Sequence, residues 1–219
     1  MGMSLFVTGT DTGVGKTYVS RLLVETLRRA GVDAVGYKPV ACGDRQDAEV
    51  LAGVSGGLSL DEVNPVYMPS PVAPYVAGLL ENRTVDVGVL VLGYERLAAV
   101  HEVVVGGGGG VGQVPLAPQV RMSDLAVRLG LPVLVVAGNR LGVLNHTLLT
   151  VEAVKARGLS CLGVILNQLG DELDTAMITN KGVIEDLTGV PLLDHVIHGQ
   201  EFLDEGWLEK VGLLPGMRH

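Results

Sequence analysis

A lysine and a hydroxyl set just behind a glycine-rich turn are the groups that hold nucleotide phosphates. This chain has them in Gly9-Thr10-Asp11-Thr12-Gly13-Val14-Gly15-Lys16-Thr17. Thr12, Gly13, Val14 and Gly15 would turn successive backbone N–H groups onto phosphate oxygens, because glycine curls the chain at little steric cost. Lys16 supplies a mobile positive charge, and Thr17 offers a hydroxyl to a Mg²⁺ shared with the phosphates. The apolar run Leu5–Thr8 before the loop and a helical pattern after it provide the required strand, loop and helix context. Five residues separate Gly9 from Gly15, one more than the common pattern has, so the loop is a variant. The predicted chemistry is binding of a nucleoside triphosphate.

Two other glycine patterns compete with it. Gly53-Val54-Ser55-Gly56-Gly57 matches a nucleophile elbow, but it follows Asp47–Ala52, which reads as a helix ending in glycine, where the elbow needs a strand. Gly107, Gly109 and Gly112 match a dinucleotide fingerprint, yet Pro115 and Pro118 stand where that motif needs a helix.

The elements that must position the loop are legible as runs. Leu5–Thr8, Ala34–Tyr37, Glu102–Val105, Pro132–Ala137 and Cys161–Leu166 lack polar alternation, as strands buried on both faces do. Helical stripes lie between them: Thr17–Arg29 with Leu22, Leu23 and Leu27, and Asn145–Ala156 with Leu148, Leu149 and Ala153. Strand followed by helix, repeated, predicts a doubly wound, three-layer α/β fold with a mostly parallel sheet and helices on both faces. The segments Asn64–Pro74 and Gly106–Gly110 read as loops. Loops beyond the carboxyl ends of the strands build the ligand crevice of such sheets.

With 219 residues and no linker-like stretch, one domain spanning residues 1–219 is expected. No run reaches the roughly 20 apolar residues of a membrane span, and the N-terminus reads as neither an export signal nor a lipid anchor. Cys42 and Cys161 lie far apart without a CxxC spacing, which suggests no zinc site or disulfide framework and fits a reducing cytoplasm. A net charge of −8 with scattered basic residues argues against a nucleic-acid surface.

Beyond the loop, Gly36-Tyr37-Lys38-Pro39-Val40-Ala41-Cys42-Gly43 is followed by Asp47-Ala48. Further on come Asn64-Pro65, the proline-rich Pro69–Pro74, Val114-Pro115-Leu116, Leu141-Gly142-Val143-Leu144-Asn145-His146 and Asn167. Together these resemble the dethiobiotin synthetase family of biotin biosynthesis, to about Leu193. That family uses ATP, Mg²⁺ and CO2 to close a cyclic urea on 7,8-diaminononanoate. The resemblance implies that Lys16 and Lys38 neutralise a carbamate and the transferring phosphoryl group. Thr17 and Asp47 would hold Mg²⁺, and Thr12 would line the same pocket. Cys42 stands where the family usually has Ser, against the substrate. Leu144 and Asn145 would present backbone N–H groups to the substrate's carboxylate across a homodimer interface, and Asn167 would read the adenine edge.

Each residue also has a plainer role open to it: Asp47 and Asn145 as helix caps, Lys38 as a strand-end lysine. The family's Asp after Asn167 is Gln168 here, and its Gly-x-Ile-Pro is replaced by Asp194-His195-Val196-Ile197.

The main departure from the family lies after the central strand. The family's Glu-Gly-x-Gly-Gly, whose glutamate binds Mg²⁺, is replaced by Gly106–Gly110, a segment expected to be mobile without ligand. Glu102 lies about four residues, ~13 Å, back along the strand and cannot take its place. Three outcomes are open: water completes the Mg²⁺ shell, turnover has been lost, or residues 106–112 are not the natural ones, which peptide mass would decide. The alternatives to a synthetase are a non-catalytic nucleotide-binding homologue and a partitioning-type ATPase. The latter usually has an extra lysine where this chain has Thr10 and Asp11.

Overall fold

The computed structural model describes residues 3–107 and 112–214. The elements in chain order begin with β1 (Leu5–Gly9), α1 (Lys16–Arg29), β2 (Ala34–Tyr37), β3 (Val40–Cys42) and α2 (Gln46–Val54). They continue with α3 (Leu60–Val63), β4 (Val66–Met68), α4 (Pro74–Glu81), α5 (Val87–Ala98) and β5 (Val103–Gly107). Next come β6 (Pro115–Ala117), β7 (Val120–Arg121), α6 (Met122–Leu129), β8 (Val133–Gly138) and α7 (Val143–Ala156). The last are β9 (Cys161–Asn167), α8 (Thr175–Thr188), β10 (Leu192–Val196) and α9 (Glu205–Lys210).

The five apolar runs all become strands of one parallel sheet, ordered β10-β9-β8-β1-β5-β2. Every residue of β1, β5 and β8 is buried, the condition that produces unbroken apolar runs. On one face Leu22, Leu23 and Leu27 of α1, with Trp207 and Leu208 of α9, pack on Val7, Val103 and Val105. On the other, Leu90 of α5, Leu125 of α6, Val151 of α7 and Ile184 of α8 pack on Phe6, Val133, Val135 and Val164. The architecture is an open, three-layer α/β fold, as expected. The carboxyl ends of β1, β8 and β9 share one edge, where the loop Gly9–Thr17, Asn139-Arg140 and Asn167 meet.

Several local expectations change. The helix expected over Asp47–Ala52 runs Gln46–Val54, with Gly53 inside it and Ser55 closing it. Ser55 is buried; its hydroxyl donates to the Leu51 carbonyl (2.6 Å) and accepts from the Gly36 N–H (2.8 Å), a structural role that leaves no elbow nucleophile. Asp47 is not the cap of α2, because the helix begins one residue earlier and Arg45 takes the cap position. Asn145 likewise sits within the first turn of α7, whose cap is Gly142. The segment 64–74 is not all loop, since Val66–Met68 pairs in parallel with Val40–Cys42.

Strand β10 carries no clear sequence signal, because Asp194 and His195 interrupt its apolar run. Gly106 and Gly107 extend β5 in register with Phe6 and Val7, so the glycine run starts as strand. The remainder of the expected loop, residues 108–110 with Val111, lies outside the described residues.

Candidate active site

Strand β1 delivers the chain into Gly9–Thr17, and α1 carries it away, beginning at Lys16 behind a left-handed Gly15 (φ 84°). That conformation favours glycine, and a Cβ there would also collide with Asn167 Nδ2. The loop is tied on several sides. Thr10 N–H donates to the Val136 carbonyl at 3.0 Å, and Asn167 Nδ2 donates to the Val14 carbonyl at 2.9 Å. Asp11 accepts from the Thr12 N–H at 2.7 Å and from Arg140 Nη2 at 2.8 Å. Lys16 Nζ donates to the Asp11 carbonyl at 2.8 Å, which holds the ammonium over the loop.

The opposite wall comes from β2, β3 and α2. Lys38 is buried and forms an ion pair with Asp47, the second residue of α2. The backbone of Lys38 is fixed from both sides: its N–H donates to the Val63 carbonyl, and its carbonyl accepts from Asn64 Nδ2, both at 2.8 Å. Asn64 is itself buried and takes a hydrogen bond from Arg45 Nε at 3.0 Å. Asn64, Arg45, Asp11 and Arg140 thus shape the site, though none carries a catalytic signature. In the sequence only Asp11, inside the loop, and the Asn64-Pro65 pair pointed to any of them.

A cleft of about 580 Å³ lies between the walls, lined by Thr12, Gly13, Gly15, Lys16, Thr17, Lys38, Cys42 and Asp47, with Pro71, Pro74 and Val114 at its side. A second cavity of about 220 Å³, between α6 and α7, is lined by apolar side chains together with Thr8, Thr10, Ser123 and His146, and among the described residues no lysine, arginine or carboxylate lines it. Phosphates need positive charge, so the first cleft is the candidate site.

The charges in the cleft are coupled. Burial and the nearby Lys38 pull the Lys16 ammonium from 10.5 down to about 8, with Asp47 and Asp11 opposing. Burial would raise the Asp47 carboxyl, but Lys38, the Thr17 hydroxyl and Lys16 outweigh it and hold it below its usual value. Asp47 is therefore an ionised, hard oxygen donor beside the Thr17 hydroxyl, a pair suited to a divalent cation that keeps part of its water shell. Burial and Glu81 push the Cys42 thiol up, so it stays protonated at neutral pH and is no nucleophile.

Of the sequence-based candidates, Thr12, Gly13, Gly15, Lys16, Thr17, Lys38, Cys42 and Asp47 come together in the cleft. Val14 is buried in the core and contributes its carbonyl, tied to Asn167. Asn167 stands at the end of β9 beside the loop, and its Oδ1 is a buried acceptor with no partner among the described residues. Leu144 and Asn145 lie in the first turn of α7 and do not line the cleft. At Gly106 a Cβ would meet Leu5 O at 3.5 Å and Phe6 Cδ2 at 3.6 Å, ordinary contacts, so the backbone there has room for a Cβ.

Strand, glycine-rich loop, helix and a cleft that brings Lys16 and Lys38 together define a P-loop nucleotide-binding protein. Residues 3–199 match the family model described as an AAA domain. Solved structures share the fold. The ParA family ATPase of Chlorobium tepidum is 14% identical with a TM-score of 0.55, over 90% of this chain and 84% of that one. The MinD cell division protein of Aquifex aeolicus is 12% identical, also with a TM-score of 0.55, over 87% and 80%.

Sequence relatives are more specific. The ATP-dependent dethiobiotin synthetase BioD of Akkermansia muciniphila is 52% identical over 92% of this chain and 95% of its own length. The protein of the same name from Anaeromyxobacter sp. (strain Fw109-5) is 45% identical over 91% and 92%. The chain belongs to the dethiobiotin synthetase family of ATP-dependent enzymes of biotin biosynthesis. Among the described residues no helix is long and apolar enough to cross a membrane.

Proposed function

We propose that the chain closes the cyclic urea of dethiobiotin on 7,8-diaminononanoate, consuming CO2 and ATP in the presence of Mg²⁺. The observation that carries this reading is the convergence of Lys16, Lys38 and Asp47 on one cleft beside the loop Gly9–Thr17.

A substrate amine adds to CO2, losing a proton to form a carbamate. The carbamate oxygen attacks the γ-phosphorus and ADP leaves. The second amine then attacks the carbonyl carbon of the mixed anhydride, expelling phosphate. Each step moves negative charge across the space between Lys16 and Lys38, and fixed cations there stabilise it without reorganising. Lys38 suits this task because its backbone is anchored through Asn64 and its ammonium is held by Asp47. Bound between Thr17 and Asp47, Mg²⁺ would supply charge neutralisation to the β- and γ-phosphates. The unpartnered Asn167 Oδ1 suits the amino group of adenine.

Leu144 and Asn145 fall outside the cleft of their own chain, which fits a homodimer in which their N–H groups serve the other copy's substrate carboxylate. A cytoplasmic, single-domain enzyme acting on small molecules follows from this reading.

Incubation with ATP, Mg²⁺, bicarbonate and the diamine is expected to yield dethiobiotin and ADP, detected by mass. The Lys38→Ala variant is expected to bind ADP but form no product. ADP binding by the unaltered chain without any cyclic urea overturns the reading in favour of a non-catalytic nucleotide-binding homologue, the outcome that the glycines at 106 and 107 would favour.

A further inference from the structure

The first half of the nucleotide loop is held by a side chain that does not line the cleft. We propose that Arg140 is a positioning residue: through Asp11 it fixes the carbonyl on which the Lys16 ammonium rests. The inference depends on Gly9–Thr17 being the nucleotide loop.

The geometry is a chain of contacts. Arg140 Nη2 donates to Asp11 Oδ2 at 2.8 Å, Asp11 Oδ1 accepts from the Thr12 N–H at 2.7 Å, and the Asp11 carbonyl accepts from Lys16 Nζ at 2.8 Å. One residue therefore joins the outer ion pair, the turn and the phosphate-binding lysine. An exposed ion pair alone contributes little, since two long side chains must be ordered to make it. Here the guanidinium springs from a fixed base. The Arg140 carbonyl accepts from the Val143 N–H at 3.1 Å and from Asn180 Nδ2 at 3.3 Å. Next to it Asn139 is buried, its N–H on the Asn167 carbonyl (2.8 Å), its Nδ2 on the Met177 carbonyl (3.0 Å) and its Oδ1 on Asn180 Nδ2 (2.9 Å).

The same base holds the other shoulder of the loop, because Asn167 donates to the Val14 carbonyl. Asn167 and Arg140 thus grip the loop at Val14 and Asp11 from adjacent strand ends, β9 and β8, that are tied to each other. Between the two grips Gly13 is open, with nothing within 4 Å of a Cβ placed there. Without Arg140, no side chain among the described residues outside the loop holds Asp11.

The test is calorimetric binding of ADP without Mg²⁺ to the full chain and to Arg140→Ala, Asp11→Ala, the double variant and Arg140→Lys. Arg140→Ala is expected to raise Kd roughly three- to fivefold, the upper range for an exposed pair. The double variant is expected to be no weaker than Asp11→Ala alone, and Arg140→Lys to recover most of the loss. Both side chains are half-exposed, so the variants should fold, which thermal melting checks. A Kd unchanged in Arg140→Ala, or single effects that multiply in the double variant, overturns the proposal, as does a lowered Tm with unchanged Kd. Failure of the unaltered chain to bind ADP overturns the nucleotide-loop reading and the brace with it, a result distinct from equal binding by all variants.

Discussion

Lys16 should make nucleotide binding depend on pH in a range where ordinary lysines do not titrate. Burial and Lys38 lower its ammonium from 10.5 to about 8 in the empty protein. Phosphates set against it would raise that value again, because opposite charge favours the ammonium. Above pH 7.5 the ADP phosphates are fully ionised, so Lys16 is the group that changes. With a value of about 8, roughly three quarters of the lysines are charged at pH 7.5 and about a tenth at pH 9. The apparent Kd for ADP should therefore rise about eightfold between those pH values, with uptake of about half a proton per site near pH 8.

Calorimetry in paired buffers of different ionisation enthalpy measures both quantities. Lys16→Arg, whose guanidinium stays charged, should remove the dependence even if its affinity is lower. A flat Kd and no proton uptake from pH 7.5 to 9 would refute the argument. The effect on stability has the opposite sign to the effect on binding. Between about 8 and 10.5 the unfolded chain holds a proton that the folded, empty chain has lost, so this group's contribution to stability rises with pH across that window. The gap corresponds to about 3 kcal/mol at most.

Other expectations follow from the contacts around the cleft. Gly15→Ala combines a left-handed backbone with a collision against Asn167 and should abolish ADP binding. Gly13→Ala, with a φ of 72° but open space around it, should cost about 1 kcal/mol in thermal melting and leave ADP binding measurable. Gly106→Glu meets only ordinary contacts at its Cβ and puts back the carboxylate expected from the family pattern. It should lower the Mg²⁺ concentration needed for half-maximal activity several-fold, measured by Mg²⁺ titration, and no change would show that position 106 does not face the metal. Asn167→Ala removes both the unpartnered acceptor and the tie to Val14. It should weaken ADP at least tenfold by calorimetry and narrow any preference of ADP over GDP.

The sequence alone determined five strands of the sheet and the nucleotide loop, and the reason is local. Strands buried on both faces must be apolar at every position, so Leu5–Thr8, Ala34–Tyr37 and Pro132–Ala137 announce themselves without partners. The loop is legible because its chemistry needs contiguous residues: glycines, a lysine and a threonine ahead of one helix. Strand β10 was not legible, because it is only partly buried and so tolerates the polar Asp194 and His195.

The site's second wall required the tertiary structure. Nothing near Lys38 in the chain says that its ammonium meets Asp47, or that Asn64, 26 residues on, holds its carbonyl. Helix starts differ from the sequence expectation for a related reason. Asp47 and Asn145 are good capping residues by type, yet Arg45 and Gly142 take the cap positions, which frees Asp47 for Lys38. The bracing of the loop was hidden most deeply, since Asp11 and Arg140 are 129 residues apart and both are ordinary surface residues by composition. A parallel sheet brings the ends of β1, β8 and β9 to one edge whatever their separation in sequence. Which side chains meet there is decided by strand order and register, and only the folded chain fixes those.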